Sequence, residues 1–212
     1  REMLHYVLPR AAAAALAALC LVSSAQACTR KAVSGTSISV DAGRLDVALA
    51  DRAILAELNY HRCKAGLPSL KASANLRSVA KTHAAWMART GTLSHKSRVA
   101  GQTNLSSRLK SSGVRFRAGS ENIGLVHRFQ IDGQRFRIRD ASTCAFATGS
   151  GTPIGTHSYA SLARHAVNLW MASSGHRRNI LDRKVTMVGS AAAVDTSAPY
   201  CGQVYLSQNF AG

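Results

Sequence analysis

Apolar residues recur with helical spacing in three long segments of the chain. The first covers residues 46–64 and stops before Gly66, and the second follows Ser73, whose hydroxyl predicts a helix cap, and stops at Gly91. The third covers residues 159–172. We expect three helices that each bury one face. The inward-facing positions are predicted to be Val47, Ile54, Leu55 and Leu58, then Leu76, Val79, Ala80, His83 and Met87, then Leu162, Ala166, Leu169 and Trp170.

Strand patterns are gathered in the second half of the chain. Residues 185–194 and 203–210 alternate or run apolar, as late buried strands would. Residues 129–138 predict a hairpin, because their central Asp-Gly dipeptide favours the tight turn that joins twisted strands. A short helix is predicted at residues 105–110. Helices that cover an antiparallel sheet indicate an α+β domain.

The first residues have the pattern of an export signal. Arg10 precedes the apolar run of residues 11–22, and Ala25 and Ala27 form a small-residue cleavage site. We therefore expect residues 1–27 to be a signal peptide and the protein to be secreted or periplasmic. No later segment has the roughly 18 consecutive apolar residues that span a bilayer.

The remainder of the chain divides into an arm and one domain. Residues 28–45 are rich in Ser, Gly and Thr and have no helical period, which is typical of an arm. Residues 46–212 have the length of a single domain. Within it, residues 125–157 are expected to form an inserted basic hairpin and loop.

Cysteine usage predicts two disulfides. Removal of the signal deletes Cys20 and leaves four cysteines, an even number in a compartment where thiols oxidise. Four cysteines allow three pairings. We favour Cys28 with Cys63, which ties the arm to the first helix, and Cys144 with Cys201, which ties a long loop to a late strand. Lipidation of Cys28, directly after the cleavage site, stays open as an alternative.

The chain is strongly basic, which favours anionic partners. It carries 27 Lys and Arg against 10 Asp and Glu, a net charge of +17. For an exported protein, this charge favours binding to anionic lipids or envelope polymers, and it does not indicate specific nucleic-acid recognition. The alternative is that the charge serves only solubility.

Four stretches, in order, resemble the CAP superfamily of cysteine-rich secretory proteins, antigen 5 and pathogenesis-related proteins, in its bacterial form. They span about residues 46–211. The stretches are Leu58-Asn59-Tyr60-His61-Arg62 with Gly66-Leu67-Pro68-Ser69-Leu70, residues 80–87 with Leu93-Ser94-His95, Glu121-Asn122-Ile123, and residues 166–181 with Gln208-Asn209-Phe210.

The resemblance implies a three-layer α-β-α sandwich with a central antiparallel sheet. It also implies a cleft of two His and two acidic residues. His95, Glu121 and His176 occupy three of these positions. Ser173 stands where the family has its second carboxylate, so this chain departs from the pattern at one position.

Two converging imidazoles can bind a divalent cation such as Zn²⁺. We therefore expect His95 and His176 to be candidate metal ligands, and Glu121 to be a candidate catalytic group that orients a ring or accepts a proton. Only two strong ligands remain once Ser173 replaces a carboxylate, whereas catalytic zinc sites usually have three. The alternative is that both rings hydrogen-bond to backbone and to Glu121 and hold loops in place.

The other histidines give weaker signals. His83 lies on the apolar face of the second helix, which favours a buried core histidine. No Cys, Asp or Glu lies at ligand spacing from the remaining ones, so we expect them to be surface or loop residues. They are His61, His127, His157 and His165.

Arginine alternates with apolar residues in the predicted hairpin. A strand would place Arg135, Arg137 and Arg139 on one face and Phe136 and Ile138 on the other. Beside the cleft, such a cationic face would contact anionic glycans or lipid headgroups. The alternative is a charged edge that prevents strand-to-strand aggregation.

These features lead to one main hypothesis. We expect an exported, non-enzymatic protein that binds an anionic or lipidic ligand at the cell envelope. One alternative is a metal-dependent hydrolase that uses the His/Glu cleft. Another is a structural component of an extracellular complex, with other protein subunits docking on residues 123–159.

Overall fold

The computed structural model describes residues 27–212, and the expected signal peptide lies outside this range except for Ala27. The described residues form five helices, and each predicted long helix is present. The helices are α1 (Val47–Lys64), α2 (Ala74–Thr90), α3 (Leu105–Ser111), α4 (Tyr159–Ala172) and α5 (Ser174–Ile180).

The same residues form seven strands in two sheets. In the main sheet the order is β1-β6-β7-β2, with β7 antiparallel to both neighbours and the two-residue β1 parallel to β6. A smaller antiparallel sheet has the order β3-β4-β5. The strands are β1 (Lys71–Ala72), β2 (Gly119–His127), β3 (Phe136–Asp140), β4 (Ala145–Thr148), β5 (Pro153–Ile154), β6 (Met187–Asp195) and β7 (Gln203–Ala211).

Polar caps fix the ends of the first two helices. The Asp46 carboxylate accepts a hydrogen bond from the backbone N–H of Leu49, and the Ser73 hydroxyl accepts one from that of Leu76. Each cap satisfies a backbone donor that has no partner within the helix. Gly91 ends α2 with φ of 62°, a conformation that glycine adopts without a steric penalty.

Helices cover both faces of the main sheet, which gives the expected three-layer α+β sandwich. Successive side chains of a strand point to opposite faces, so β7 serves two cores. Leu206 and Phe210 pack with α1 and α4 in the larger core, whereas Tyr205 packs with Met87 of α2.

Both predicted disulfides are present. Cys28 bonds to Cys63 with a Cα–Cα distance of 5.8 Å, and Cys144 bonds to Cys201 with 6.0 Å. The first ties the arm to α1, and the second ties the turn after β3 to the segment before β7.

Within residues 27–212, none of the helices has the length and apolarity to cross a membrane.

The predicted hairpin at residues 129–138 is wrong. Phe136–Asp140 pairs instead with Ala145–Thr148, and Asp132 lies in a turn where its carboxylate accepts a hydrogen bond from the backbone N–H of His127 at 2.8 Å. The Asp-Gly dipeptide does lie in a turn, but the residues on its two sides pair elsewhere, because Phe129 pairs with Thr156. The expected apolar strand face is also incomplete, because Ile138 is 53% exposed.

One inward-facing position was predicted wrongly. Leu169 is 48% exposed, because the buried stripe of α4 runs through Leu162, Ala166 and Trp170 and leaves Leu169 on its solvent side. The sequence patterns also missed α5 and β2. Helix α5 has only seven residues, and β2 begins with polar residues, two of which, Glu121 and Asn122, are buried.

Candidate functional site

The structure places the predicted cleft residues on separate elements. His95 lies in the loop after α2, Glu121 near the start of β2, and His176 in α5, and Ser173 joins α4 to α5. The His95 Nδ1 atom lies 2.8 Å from Glu121 Oε1, so these two groups share a hydrogen bond. The His95 ring is exposed, while Glu121 is buried beneath it.

A buried arginine that sequence analysis missed holds Glu121. Arg108 of α3 is fully buried and donates from Nε to Glu121 Oε2 at 2.8 Å and from Nη2 to Oε1 at 2.7 Å. It also donates to the carbonyl oxygens of Gln102 and His95. Both carboxylate oxygens are therefore occupied, and the pair carries no net charge. Through the hydrogen bond that it shares with His95, Glu121 also orients the His95 ring.

Amide side chains connect α5 to the sheet. Asn179 donates to the carbonyl oxygen of Glu121 at 3.1 Å and to the side-chain oxygen of Asn122 at 2.9 Å. Asn122 in turn donates to the carbonyl oxygen of His176 at 3.4 Å and to the side chain of Gln208 at 3.1 Å. This network fixes the position of His176 relative to Glu121.

The two imidazoles share an electrostatic environment. Burial lowers the pKa of His176 below its usual value, and the nearby His95 lowers it further. His176 is therefore neutral at pH 7. A neutral ring can accept a hydrogen bond or bind a cation, and it also tolerates an apolar ligand.

The donor set does not fit a catalytic zinc site. Both oxygens of Glu121 accept hydrogen bonds, and Ser173 supplies no carboxylate, which leaves two imidazoles where three protein ligands are usual. Among residues 27–212 there is no group of three or more His, Cys, Asp or Glu side chains placed to hold a metal ion.

The segments that form the cleft are cationic. Glu121 is the only acidic residue between positions 90 and 130, and none lies between positions 160 and 181. Exposed basic side chains flank the two histidines in the sequence. They are Lys96, Arg98, Arg177 and Arg178. Because Arg108 neutralises Glu121, the surface around the cleft has an excess of positive charge.

The arginine strand lies away from the cleft, not beside it as expected. Glu121 is near the start of β2, whereas the inserted segment (residues 125–157) continues from the other end of β2, at His127. Likewise Ser173 follows the last residue of α4, whereas the inserted segment leads into its first residue, Tyr159. A strand rises about 3.4 Å and a helix about 1.5 Å per residue, so the points where the insert joins β2 and α4 lie about 20 Å from Glu121 and Ser173. Arg135, Arg137 and Arg139 are exposed at that far end.

His83 is a buried core histidine, as predicted from its helical position. It is 1% exposed, and burial, assisted by the charge of Arg108, lowers its pKa from 6.5 to about 4. In the unfolded chain His83 is protonated below pH 6.5, whereas in the folded chain it stays neutral down to about pH 4. The free energy of unfolding therefore has its full contribution from His83 above pH 6.5, and this contribution is lost as the pH falls towards 4.

We expect the free energy of unfolding to fall by about 2 kcal/mol between pH 7 and pH 4.5 because of His83 alone. Urea unfolding of wild type and His83→Gln at both pH values measures this change. Glutamine does not titrate, so the variant should lose less stability on acidification. Equal losses in the two proteins would contradict the assignment.

Three of the histidines expected to be surface or loop residues lie together near one carboxylate. His127 and His165 contact Asp132, and the His157 ring stacks on that of His165. His157 does lie in a loop, whereas His127 is in β2 and His165 in α4. His157 is buried. No spacing rule could have found them, because they come from β2, the segment before α4 and α4 itself.

Comparison with known proteins agrees with this architecture. The sequence model of the cysteine-rich secretory protein family, CAP, matches residues 55–210. An extracellular protein of Bacillus anthracis that contains an SCP domain superposes with a TM-score of 0.53 at 22% identity, over 78% of this chain and 41% of that one. An outer surface protein of Borrelia burgdorferi superposes with a TM-score of 0.50 at 14% identity, over 76% of this chain and 90% of that one. No curated protein matches the chain.

Proposed function

The chain belongs to the cysteine-rich secretory protein (CAP) family, and from that premise we propose that it is an exported, non-enzymatic protein that binds an anionic or lipidic ligand. The binding site is the cleft formed by His95, Glu121, Ser173 and His176. The observation that carries this proposal is the bidentate pairing of Arg108 with Glu121. Because this buried arginine already balances the charge of the Glu121 carboxylate, the basic residues around the cleft have no carboxylate there to compensate them.

The charge distribution supports an anionic ligand. With Glu121 neutralised, the nearest uncompensated charges in the sequence belong to Lys96, Arg98, Arg177 and Arg178. The buried part of a ligand would contact His176, which is neutral at pH 7, and its anionic groups would contact these four basic side chains. A long polyanion can also reach Arg135, Arg137 and Arg139, whereas a small ligand contacts the cleft alone.

Location outside the cytoplasm is part of the proposal. Two disulfides tie the described chain together, and such bonds persist in oxidising compartments. The Bacillus anthracis relative is an extracellular protein and the Borrelia burgdorferi relative an outer surface protein. We infer that this protein works at the cell envelope or beyond it, secreted or periplasmic.

Vesicle binding tests the proposal. We expect binding to vesicles that contain anionic lipid, weak binding to zwitterionic vesicles, and an affinity that falls as salt rises. A soluble anionic polysaccharide serves as a second probe, so that a lipid ligand is distinguished from a glycan. Binding that is absent for both probes, or that is insensitive to salt, would overturn the proposal.

Charge removal at the cleft gives the matched comparison. Lys96→Gln with Arg178→Gln should weaken binding about 30-fold, because each basic side chain near an anionic surface contributes about 1 kcal/mol. Arg44→Gln with Lys71→Gln removes the same charge from exposed positions elsewhere and should have a much smaller effect. Equal losses would mean that net charge, not the cleft, attracts the ligand. Stoichiometric zinc and a hydrolytic activity lost in His176→Ala would favour the hydrolase alternative.

A further inference from the structure

The small sheet has a core of its own. Phe129, Ile131, Phe146 and Ile154 form a buried cluster separate from the cores of the main sheet. The rings of Phe129 and Phe146 have centroids 4.9 Å apart in an edge-to-face contact. We call residues 129–154 the satellite sheet. The main body completes this core, because the Tyr200 ring contacts those of Phe136 and Phe146 edge-on. Release of the sheet would therefore uncover part of the core that stabilises β3 and β4.

Several contacts join the satellite sheet to the main body. Phe129 pairs with Thr156, the backbone N–H of Gln130 donates to the carbonyl oxygen of Gly155 at 3.0 Å, and the Tyr200 ring contacts the two phenylalanine rings of β3 and β4. The Cys144–Cys201 disulfide is a covalent tether. Release of the other contacts would therefore move the sheet without separating it from the molecule.

One carboxylate at this junction serves two imidazoles of the main body. Asp132 Oδ1 lies 2.5 Å from Nδ1 of His127, at the end of β2. Asp132 Oδ2 lies 3.4 Å from Nε2 of His165, on α4. The satellite sheet is thus attached to two elements of the main body through a single side chain.

A third imidazole completes the junction. His157 is 4% exposed, and its ring stacks on that of His165 with centroids 5.4 Å apart and an interplanar angle of 24°. Its Nδ1 shares a hydrogen bond with the Ser161 hydroxyl at 2.9 Å. We define the junction cluster as His127, Asp132, His157 and His165.

A cavity of about 370 Å³ adjoins the junction cluster, and Asp132 is the one carboxylate among the described residues that line it. Arg164 of α4 also lines it and lies 3.5 Å from the carboxylate of Glu57. The Arg128 side chain donates to the carbonyl oxygen of Cys201, and Tyr200 contacts the edge of the His127 ring. A proton on His157 would therefore be added beside one carboxylate and a neighbouring guanidinium.

We propose that the junction cluster is an acid-sensitive latch, which holds the satellite sheet against β2 and α4 at neutral pH and releases it on acidification. The released sheet stays tethered through the Cys144–Cys201 disulfide. Its exposed strand, with Arg135, Arg137 and Arg139, is then free to reorient. The latch does not depend on the ligand proposed for the cleft.

The sign of the pH effect follows from His157. Burial, with the charge of His165 as the second cause, lowers its pKa from 6.5 to about 4 in the closed state. Release exposes the ring and restores the ordinary value, so the open state takes up a proton first as the pH falls. The ratio of open to closed molecules should rise about 20-fold between pH 7 and pH 5.

The Asp132 carboxylate acts only at lower pH. Burial favours a raised pKa for Asp132, but the hydrogen bonds from His165 and His127 outweigh it and hold the pKa well below its usual range. Its contribution to the closed state is therefore lost only near and below the ordinary carboxyl pKa of about 4. Between pH 7 and pH 5, the protonation of His157 governs the latch.

Hydrogen exchange of the oxidised protein at pH 7 and pH 5 tests the proposal, with rates corrected for the intrinsic effect of pH. We expect protection of the β3 and β4 amides to fall about 20-fold at pH 5 while the α1 amides stay protected. His157→Gln should abolish most of this fall, whereas His83→Gln, which removes a buried histidine elsewhere, should leave it intact.

Three results would overturn the latch. They are pH-independent protection of β3 and β4, the same loss in His157→Gln as in wild type, and simultaneous loss in α1, which would indicate global unfolding. Should His157→Gln fail to fold, Asp132→Asn gives an independent test. That variant should already show weakened protection of β3 and β4 at pH 7, with α1 unchanged, and unchanged β3 and β4 would also refute the proposal.

Discussion

Replacement of Arg108 with Met is expected to lower the free energy of unfolding by about 4 kcal/mol. Arg108 is fully buried and holds Glu121 through two hydrogen bonds of 2.8 and 2.7 Å. Methionine fills much of the volume but leaves the Glu121 carboxylate buried without a countercharge. Removal of one partner of a buried ion pair typically costs about 3–5 kcal/mol. Urea unfolding at pH 7 measures the change.

Two comparisons show whether the loss comes from the unpaired carboxylate. Arg108→Met combined with Glu121→Leu removes both charges and should recover a large part of the stability, because an apolar pair needs no charge compensation. Arg98→Met changes an exposed arginine and should alter stability by less than about 0.5 kcal/mol. A double variant as unstable as Arg108→Met would show that lost packing, not unpaired charge, is the cause.

Substitution of Gly189 with Ala is expected to destabilise the protein by about 3 kcal/mol. A Cβ atom at Gly189 of β6 would lie 2.1 Å from the backbone nitrogen of Arg77 and 2.5 Å from the carbonyl carbon of Leu76. These are backbone atoms of α2, so no side chain can rotate away. The first turn of α2 would have to move off the sheet, and overpacking of this kind costs about 1–3 kcal/mol or more.

Displacement of α2 would also strain a second contact. The Arg77 side chain donates to the buried carboxylate of Asp51 at 3.2 Å, and Asp51 accepts a hydrogen bond from the backbone N–H of Ser190 at 2.7 Å. Thermal unfolding of Gly189→Ala should show a lowered midpoint. Gly149→Ala is the matched control, because a Cβ there meets nothing within 4 Å and its φ is not positive. Equal midpoints for the two variants would disprove the close approach.

Local patterns were enough to predict much of the fold. Helical spacing located α1, α2 and α4 to within a residue or two of their ends, since Asp46, Ser73 and Gly91 are caps whose chemistry acts within one turn. The late strands were found because β6 and β7 are apolar along most of their length. The disulfide pairing followed from the expected positions of four cysteines relative to these elements.

Contacts between distant residues were outside the reach of these patterns. The Asp-Gly dipeptide at residues 132–133 forms a turn, but the residues that flank it do not pair with each other, because β3 pairs with β4 and Phe129 pairs with Thr156. β2 was missed because its first residues, including Glu121 and Asn122, are polar yet buried by partners elsewhere in the chain.

The sequence by itself determined the long helices, the strongly basic charge and, through the order of its motifs, the family, because short-range periodicity and motif order record these features. Only the tertiary structure decided which distant side chains meet. It showed that Arg108 pairs with Glu121, that the segment with the arginine strand leaves β2 at the end opposite Glu121, and that Asp132 contacts both His127 and His165. The physical reason is that the charge state of a buried group depends on which partners surround it, and those partners are brought together by packing across the whole chain.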